Sequence, residues 1–282
     1  MLAVGRIPYI NCYPVYGAID RGLVTLDARL VDGIPTHLNG LMAAGKLDVS
    51  VVSAVEYARD AERYLVLPDL AISCDGPVRS VMIFSRIPIS ELSGKRVLVS
   101  RSSMTSVALL ELLFAGVWKI RPEFVPGDAE LSDIARFGEE PHEARLVIGD
   151  AALKLFDATA PGGNMHALYP FRADLGDEWK QWTGLPFVFA VWVAQRTAPV
   201  KQVLRAHEAL LRSRDWGLQH LGELAQQAAA TTSVPLNVCQ VYLSGLDYGL
   251  SAPHLAGLTE FFRKLVTAGR VPDGNLTFLP AA

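Results

Sequence analysis

Residues 74–86, CDGPVRSVMIFSR, begin as a turn and end as a buried strand. The tripeptide at 75–77, Asp-Gly-Pro, combines residues that interrupt regular structure. The apolar residues 81–84 that follow are typical of a short strand covered on both faces. Ser80 stands where the turn becomes the strand, so its side chain can face the space beyond the end of a sheet. We therefore place Ser80 at the centre of a predicted site.

A second long apolar run, LPFVFAVWVA at residues 185–194, follows after a segment of alternating strand and helix patterns. The two runs predict a chain that leaves one lobe, builds a second and returns. Largely helical sequence after residue 199 is expected to pack back on the first lobe. The fold class predicted is α/β, a two-lobed periplasmic-binding-protein-like fold of type II with a ligand cleft between the lobes. The first lobe is expected at 1–84 plus 188–282 and the second at 85–187.

The composition excludes several classes of protein. The 282 residues carry a formal net charge of -3, which argues against nucleic acid or an anionic membrane as a partner. No apolar run reaches the roughly 20 residues of a membrane span. Cys12, Cys74 and Cys239 lie far apart and are odd in number, which favours a reducing compartment over a disulfide framework. With no secretory pattern at the N-terminus, the expected location is cytoplasmic.

Polar residues at predicted strand ends are the candidates for ligand binding. Asn11 is either an ordinary turn asparagine or an amide that faces the cleft, and the sequence leaves both open. Ser53 opens a Ser-x-x-Glu capping box with Glu56, and a cap at this junction can also face the cleft. Asp150 follows another strand and is interpreted as a helix cap that could also act as an acid or base.

Residues 101–106, RSSMTS, lie between a predicted strand and a predicted helix. One hydroxyl is enough to cap a helix, and this turn has four. The N–H groups and the dipole at a helix N-terminus favour anions. The turn is therefore a predicted seat for a carboxylate or phosphate, formed by Ser102, Ser103, Thr105 and Ser106.

Motifs for other chemistries are absent from the sequence. It contains no GxGxxG, Walker A, HExxH, GxSxG or paired cysteines, and its six histidines are scattered without ligand spacing. We therefore expect no metal and no cofactor. The sequence does not indicate the oligomeric state.

Five blocks of sequence together resemble the chorismate dehydratases of the futalosine route to menaquinone. They cover most of residues 6–194 and read RIPYINCYPVYGAI, GIPTHLNGLMAAGKLDVSVVSAVEYAR, LPDLAISCDGPVRSVMIFSR, GKRVLVSRSSMTSVALLELL and GDEWKQWTGLPFVFAVWVA. The resemblance implies a hydro-lyase that converts chorismate to 3-[(1-carboxyvinyl)oxy]benzoate. It also implies that Asn11 and Ser80 line the reaction centre. Gly76, in the same block as Ser80, is expected to bind the substrate.

Neither Asn11 nor Ser80 is a base near neutral pH. Our hypothesis is that the enolpyruvyl carboxylate of the substrate takes the proton, while the two side chains orient the reacting groups. The rival hypothesis makes Asp150 or Glu56 the base.

Three other functions stay open at this point. One is the related 1,4-dihydroxy-6-naphthoate synthase of the same pathway, and another is a non-catalytic cytoplasmic protein that binds small anions. The third is the effector domain of a transcription regulator, which the lack of a helix-turn-helix disfavours.

Overall fold

The computed structural model describes residues 1–101, 103–127 and 141–280. Its strands are β1 Leu2–Arg6, β2 Ala28–Asp32, β3 Val49–Ser53, β4 Tyr64–Cys74, β5 Val81–Ser85, β6 Arg96–Ser100, β7 Glu123–Gly127, β8 Ala144–Ile148, β9 Phe171–Asp174 and β10 Phe187–Gln195. Its α-helices are α1 Tyr13–Asp20, α2 Pro35–Ala43, α3 Ala54–Arg59, α4 Met104–Leu113, α5 Gly149–Ala158, α6 Leu175–Thr183, α7 Val200–Gln219, α8 Leu221–Thr232, α9 Leu236–Ser244 and α10 Ala252–Thr267. Single turns of 3₁₀-helix occupy Ile10–Cys12, Ala61–Arg63 and Ile89–Glu91, and a π-helical turn, Phe114–Trp118, follows α4.

The strands form two sheets with the same internal order. The first sheet runs β2-β1-β3-β10-β4 and the second runs β7-β6-β8-β5-β9. In each sheet three neighbouring strands are parallel, and the fourth strand in the order is antiparallel to both of its neighbours. This repeated arrangement confirms the predicted two-lobed α/β fold.

In each lobe, the antiparallel strand is the first strand that the chain forms after it crosses from the other lobe. β5 follows the turn at residues 75–80, and β10 follows α6. All five residues of β5 are buried, as are all but one of β10, which explains why both strands show as continuous apolar runs. The boundary expected at residues 84 and 85 would divide β5, whose residues all pair within the second sheet. We therefore propose that the second lobe begins at the turn before Val81 and ends before Phe187.

An aromatic cluster joins the two lobes where the chain returns. Trp179 of α6 stacks edge-on against Phe187 of β10 and Phe261 of α10, at centroid distances of 5.1 and 6.0 Å. The indole N–H of Trp179 donates to the carbonyl of Pro186 at 3.2 Å. These contacts bury the return crossing and fix the second lobe against the C-terminal helices of the first.

Helix α7 packs mainly against α1, and α10 packs against β10, so the C-terminal helices do return to the first lobe. Within the described ranges no helix combines the length and apolar character needed to cross a membrane.

Candidate active site

A cavity that is open to solvent lies between the two sheets, and the empty space in it, counted together with its open mouth, is about 610 Å³. Its wall draws on both lobes, at the carboxyl ends of β1, β3, β4 and β8 and at the start of β5 and α4. This is the edge at which α/β sheets bind ligands. The residues that line it are Ile7, Tyr9, Asn11, Pro35, Ser53, Ile72, Val78, Ser80, Val81, Ser103, Ser106, Ile148, Gly149, Phe189 and Ala190.

Asn11 and Ser80 both line this cavity, although 69 positions separate them in the sequence. Asn11 lies in the 3₁₀ turn that follows β1 rather than in an open turn. Its Oδ1 atom is buried and has no hydrogen-bond partner among the described residues. A buried carbonyl oxygen without a donor costs free energy, so a ligand with a hydroxyl or N–H group would satisfy it.

The serine and threonine hydroxyls at the start of α4 have different hydrogen-bond partners and different positions relative to the cavity. Ser103 is the N-cap of α4, and its Oγ accepts the N–H of Ser106 at 3.2 Å. The Ser103 hydroxyl donates in turn to Oγ of Ser106 at 2.8 Å, which leaves the Ser106 hydrogen available to a ligand. Thr105 lies outside the cavity wall and accepts the N–H of Val55 at 3.2 Å. Ser102 lies outside the described residues.

Ser53 is both a helix cap and part of the cavity wall. Its Oγ accepts the N–H of Glu56 at 3.1 Å, which forms the predicted cap of α3. The amide of Asn39 in α2 donates to the same oxygen at 3.3 Å. Glu56 itself is buried away from the cavity, where burial raises its pKa and the hydroxyl of Tyr64 donates to it at 3.4 Å.

Gly76 and Asp150 lie outside the cavity wall. The carbonyl of Gly76 is covered by Gly176 of α6, where an added Cβ atom would stand only 2.6 Å from it. Asp150 is in the first turn of α5 rather than its N-cap, which is Ile148. Its Oδ1 accepts the N–H of Ile10 from the other lobe at 3.2 Å. Burial raises the pKa of Asp150 from 3.8 to about 6.

The described wall of the cavity contains no charged side chain. Four helices of the two lobes begin at this wall: α2 at Pro35, α3 after Ser53, α4 after Ser103 and α5 at Gly149. Each helix start carries partial positive charge from N–H groups without an intrahelical acceptor. The cavity is thus suited to an anionic ligand that is held by dipoles and hydroxyls.

Tyr242 of α9 contacts Ser80 without lining the cavity itself, and it was not predicted from the sequence as a site residue. Its hydroxyl donates to Oγ of Ser80 at 2.9 Å. No local pattern marks this tyrosine, because 162 positions separate it from Ser80 and it reads as one more apolar residue of a helix. In residues 1–101, 103–127 and 141–280 no three His, Cys, Asp or Glu side chains are grouped so that they could hold a metal ion.

Solved structures with low sequence identity share the fold. A structural-genomics protein from Archaeoglobus fulgidus superposes with a TM-score of 0.77 at 19% identity, over 96% of this chain and 98% of its own. The alkanesulfonate-binding protein SsuA from Xanthomonas axonopodis pv. citri, bound to MOPS, gives 0.67 at 14% identity, over 98% and 96%. A Candida albicans protein described as having the generic periplasmic binding protein fold gives 0.69 at 12% identity, over 100% and 98%. These likenesses confirm the predicted fold class.

Sequence comparison is more specific. A chorismate dehydratase from Thermus thermophilus is 35% identical over 271 residues, which are 92% of this chain and 95% of that protein. A 1,4-dihydroxy-6-naphtoate synthase from Streptomyces coelicolor is 27% identical over 75% of this chain and 72% of its own. The family model described as menaquinone biosynthesis matches residues 2–267. This chain therefore belongs to the menaquinone biosynthesis family.

Proposed function

We propose that this protein is a chorismate dehydratase, a hydro-lyase of menaquinone biosynthesis that converts chorismate to 3-[(1-carboxyvinyl)oxy]benzoate. The observation that carries the proposal is the inter-lobe cavity that is lined by both Asn11 and Ser80 and has helix starts around it. The 35% identity to a chorismate dehydratase over almost the whole chain supports it.

The proposed ligand fits the chemistry of the wall. Chorismate carries two carboxylates, and the turn before α4 offers one of them the Ser106 hydroxyl and the first N–H groups of the helix. Apolar residues such as Ile72, Ile148 and Phe189 can cover the faces of the ring. The substrate would bind through oriented dipoles rather than through a formal positive charge.

The proposed reaction needs one proton acceptor and one stabilised leaving group. The carbon that bears the enolpyruvyl ether loses its proton to the carboxylate of that same group, and its C–H electron pair forms the new ring double bond. The ring hydroxyl leaves with the C–O electron pair and takes up a proton to become water, so the ring becomes aromatic. Asn11 and Ser80 would hydrogen-bond the reacting groups and fix their geometry.

The assignment of the proton to the substrate rests on the position of the protein carboxylates. Asp150 and Glu56 both lie outside the cavity wall and already accept hydrogen bonds. We therefore expect Asp150→Asn and Glu56→Gln to keep kcat within about tenfold of the unsubstituted protein. A loss of several orders of magnitude in kcat, with chorismate binding intact, would make that carboxylate the base.

Incubation with chorismate tests the proposal. The purified protein is mixed with chorismate, and chromatography with mass detection follows the loss of one water and the formation of an aromatic product. Ser80→Ala and Asn11→Ala should lower kcat by about a hundredfold or more. Ser244→Ala and Asn237→Ala are matched controls on the exposed surface of α9 and should behave like the unsubstituted protein.

Unchanged chorismate with a folded protein would contradict the proposal. The match to a 1,4-dihydroxy-6-naphtoate synthase makes the cyclised intermediate of that enzyme the second substrate to test. If neither compound reacts, calorimetric titration with chorismate tests whether the protein is a small-anion binder.

A cytoplasmic location belongs to the same proposal. All three cysteines are free and buried, which suits a reducing compartment. Fractionation of cells that express the protein, with detection in the cytosolic fraction, tests it.

A further inference from the structure

Tyr242 makes a hydrogen bond whose direction is set by its surroundings. The side chain is 1% exposed, and its hydroxyl lies 2.9 Å from Oγ of Ser80. If Ser80 were the donor, the phenolic hydrogen would be left without an acceptor in the described interior. Tyr242 is therefore the donor and Ser80 the acceptor.

Both partners of this hydrogen bond are held by the backbone around them. Just after α9, the N–H of Asp247 donates to the carbonyl of Ser73 at 2.9 Å. The N–H of Ser73 donates to the carbonyl of Asp247, also at 2.9 Å. On the other side, the carbonyl of Ser80 accepts the N–H of Gly149 at 2.8 Å. The Tyr242–Ser80 pair is thus fixed between β4 of the first lobe and α5 of the second.

Once Ser80 accepts from Tyr242, its own hydrogen has no acceptor among the described residues. Ser80 lines the cavity and is 4% exposed, so this hydrogen can reach a ligand but hardly reaches bulk water. A serine hydroxyl rotates among three staggered positions, and an incoming hydrogen bond selects among them.

We propose that Tyr242 is a positioning residue that makes Ser80 a donor aimed at the oxygen that leaves the substrate. This inference rests on the proposed dehydratase function. The departing oxygen gains negative charge as its bond to the ring breaks, and a donor already aimed at it stabilises that charge without reorganisation. Tyr242 itself does not touch the substrate.

The state of Tyr242 suits this role. Burial raises the pKa of its phenol far above the usual value, so the hydroxyl stays protonated throughout the range in which the protein would work. A tyrosine that does not ionise is a steady donor to Ser80 at any such pH.

Tyr242→Phe removes the donor and keeps the ring. We expect kcat for chorismate to fall by about ten- to a hundredfold while KM stays within about twofold. The reason is that the contacts with the ligand remain and only the orientation of the Ser80 hydroxyl is lost. Tyr248→Phe is the matched control. Tyr248 is also 1% exposed, and its hydroxyl has no partner among the described residues, so this change should leave kcat unaltered.

A double substitution separates positioning from a general structural role. If Tyr242 acts through Ser80, the Ser80→Ala protein and the Ser80→Ala, Tyr242→Phe protein should turn over chorismate at equal rates. A further tenfold loss in the double variant, or a kcat of Tyr242→Phe within twofold of the unsubstituted protein, would overturn the inference. An unsubstituted protein that leaves chorismate unchanged would instead contradict the proposed function.

Discussion

At the scale of single residues, Asp150 shows how burial at the contact between the lobes perturbs a titratable group. Burial raises the pKa of this carboxyl from 3.8 to about 6, although the N–H of Ile10 and the charge of Lys154 act in the opposite direction. Between these two pH values the folded protein binds a proton that the unfolded chain has released. The free energy of unfolding therefore falls as the pH rises through this interval.

Asp150→Asn should remove this pH dependence. An amide oxygen can still accept the N–H of Ile10, and no buried charge remains to be desolvated. Above pH 6 we expect the variant to gain up to about 3 kcal/mol in the free energy of unfolding, and below pH 3.8 the gain should vanish. Chemical denaturation at one pH on each side of the interval measures this difference.

The control for this prediction lies on the same helix. Asp157 is exposed, so Asp157→Asn should change the free energy of unfolding by little at either pH. An Asp150→Asn protein that is less stable than the unsubstituted chain above pH 6 would contradict the prediction. It would mean that the charged hydrogen bond to Ile10 outweighs desolvation.

At the scale of elements, the packing of α7 on α1 depends on one close approach of backbones. An added Cβ atom at Gly217 of α7 would stand 2.2 Å from the carbonyl oxygen of Pro14 in α1. Backbone atoms cannot rotate away as a flexible side chain can, so the helices would have to separate. These two helices have the most extensive contact of any helix pair in the described chain.

Gly217→Ala should therefore lower the free energy of unfolding by about 1–3 kcal/mol despite the better helix propensity of alanine. Gly222→Ala in α8 is the matched control, because its Cβ atom would meet nothing within 4 Å. That variant should be neutral or up to about 1 kcal/mol more stable. Thermal or urea unfolding compares the two, and equal effects would show that α1 and α7 can adjust.

At the scale of the whole molecule, two hydrogen bonds join the lobes across the cleft in addition to the aromatic cluster. The N–H of Val55 in α3 donates to Oγ1 of Thr105 in α4 at 3.2 Å. The N–H of Ile10 donates to Asp150 at 3.2 Å. These bonds exist only while the lobes are close, so they favour the arrangement that encloses the cavity.

Thr105→Val removes one of these bonds and leaves the side chain nearly the same in size. We expect the affinity for chorismate to fall by about fivefold to tenfold, the value of one buried hydrogen bond, because closure becomes less favourable. Calorimetric titration measures the affinity, and small-angle scattering with and without chorismate measures the separation of the lobes.

Thr267→Val is the control for this change. Among the described residues, the hydroxyl of Thr267 bonds only to the carbonyl of Arg263 in its own helix, so binding should not change. An affinity of Thr105→Val within twofold of the unsubstituted protein would mean that this bond does not contribute to closure.

The sequence by itself determined the class of fold and the two crossings. β5 and β10 are buried on both faces, and such strands need unbroken apolar runs that can be read directly. Edge strands have no such requirement. β7 and β9 are short and half exposed, and the sequence did not predict them. The expected lobe boundary at residues 84 and 85 falls within β5 for a related reason, because an apolar run does not state which sheet a strand joins.

For the site, the sequence indicated polar residues beside predicted strands and in the turn before α4, and five of them line one cavity: Asn11, Ser53, Ser80, Ser103 and Ser106. Only the tertiary structure placed Tyr242 behind Ser80, Asp150 against Ile10 and Thr105 against Val55. Local patterns report how a side chain relates to its own helix or strand. Contacts between distant segments depend on how the two lobes pack, and that packing leaves no periodic trace in the sequence.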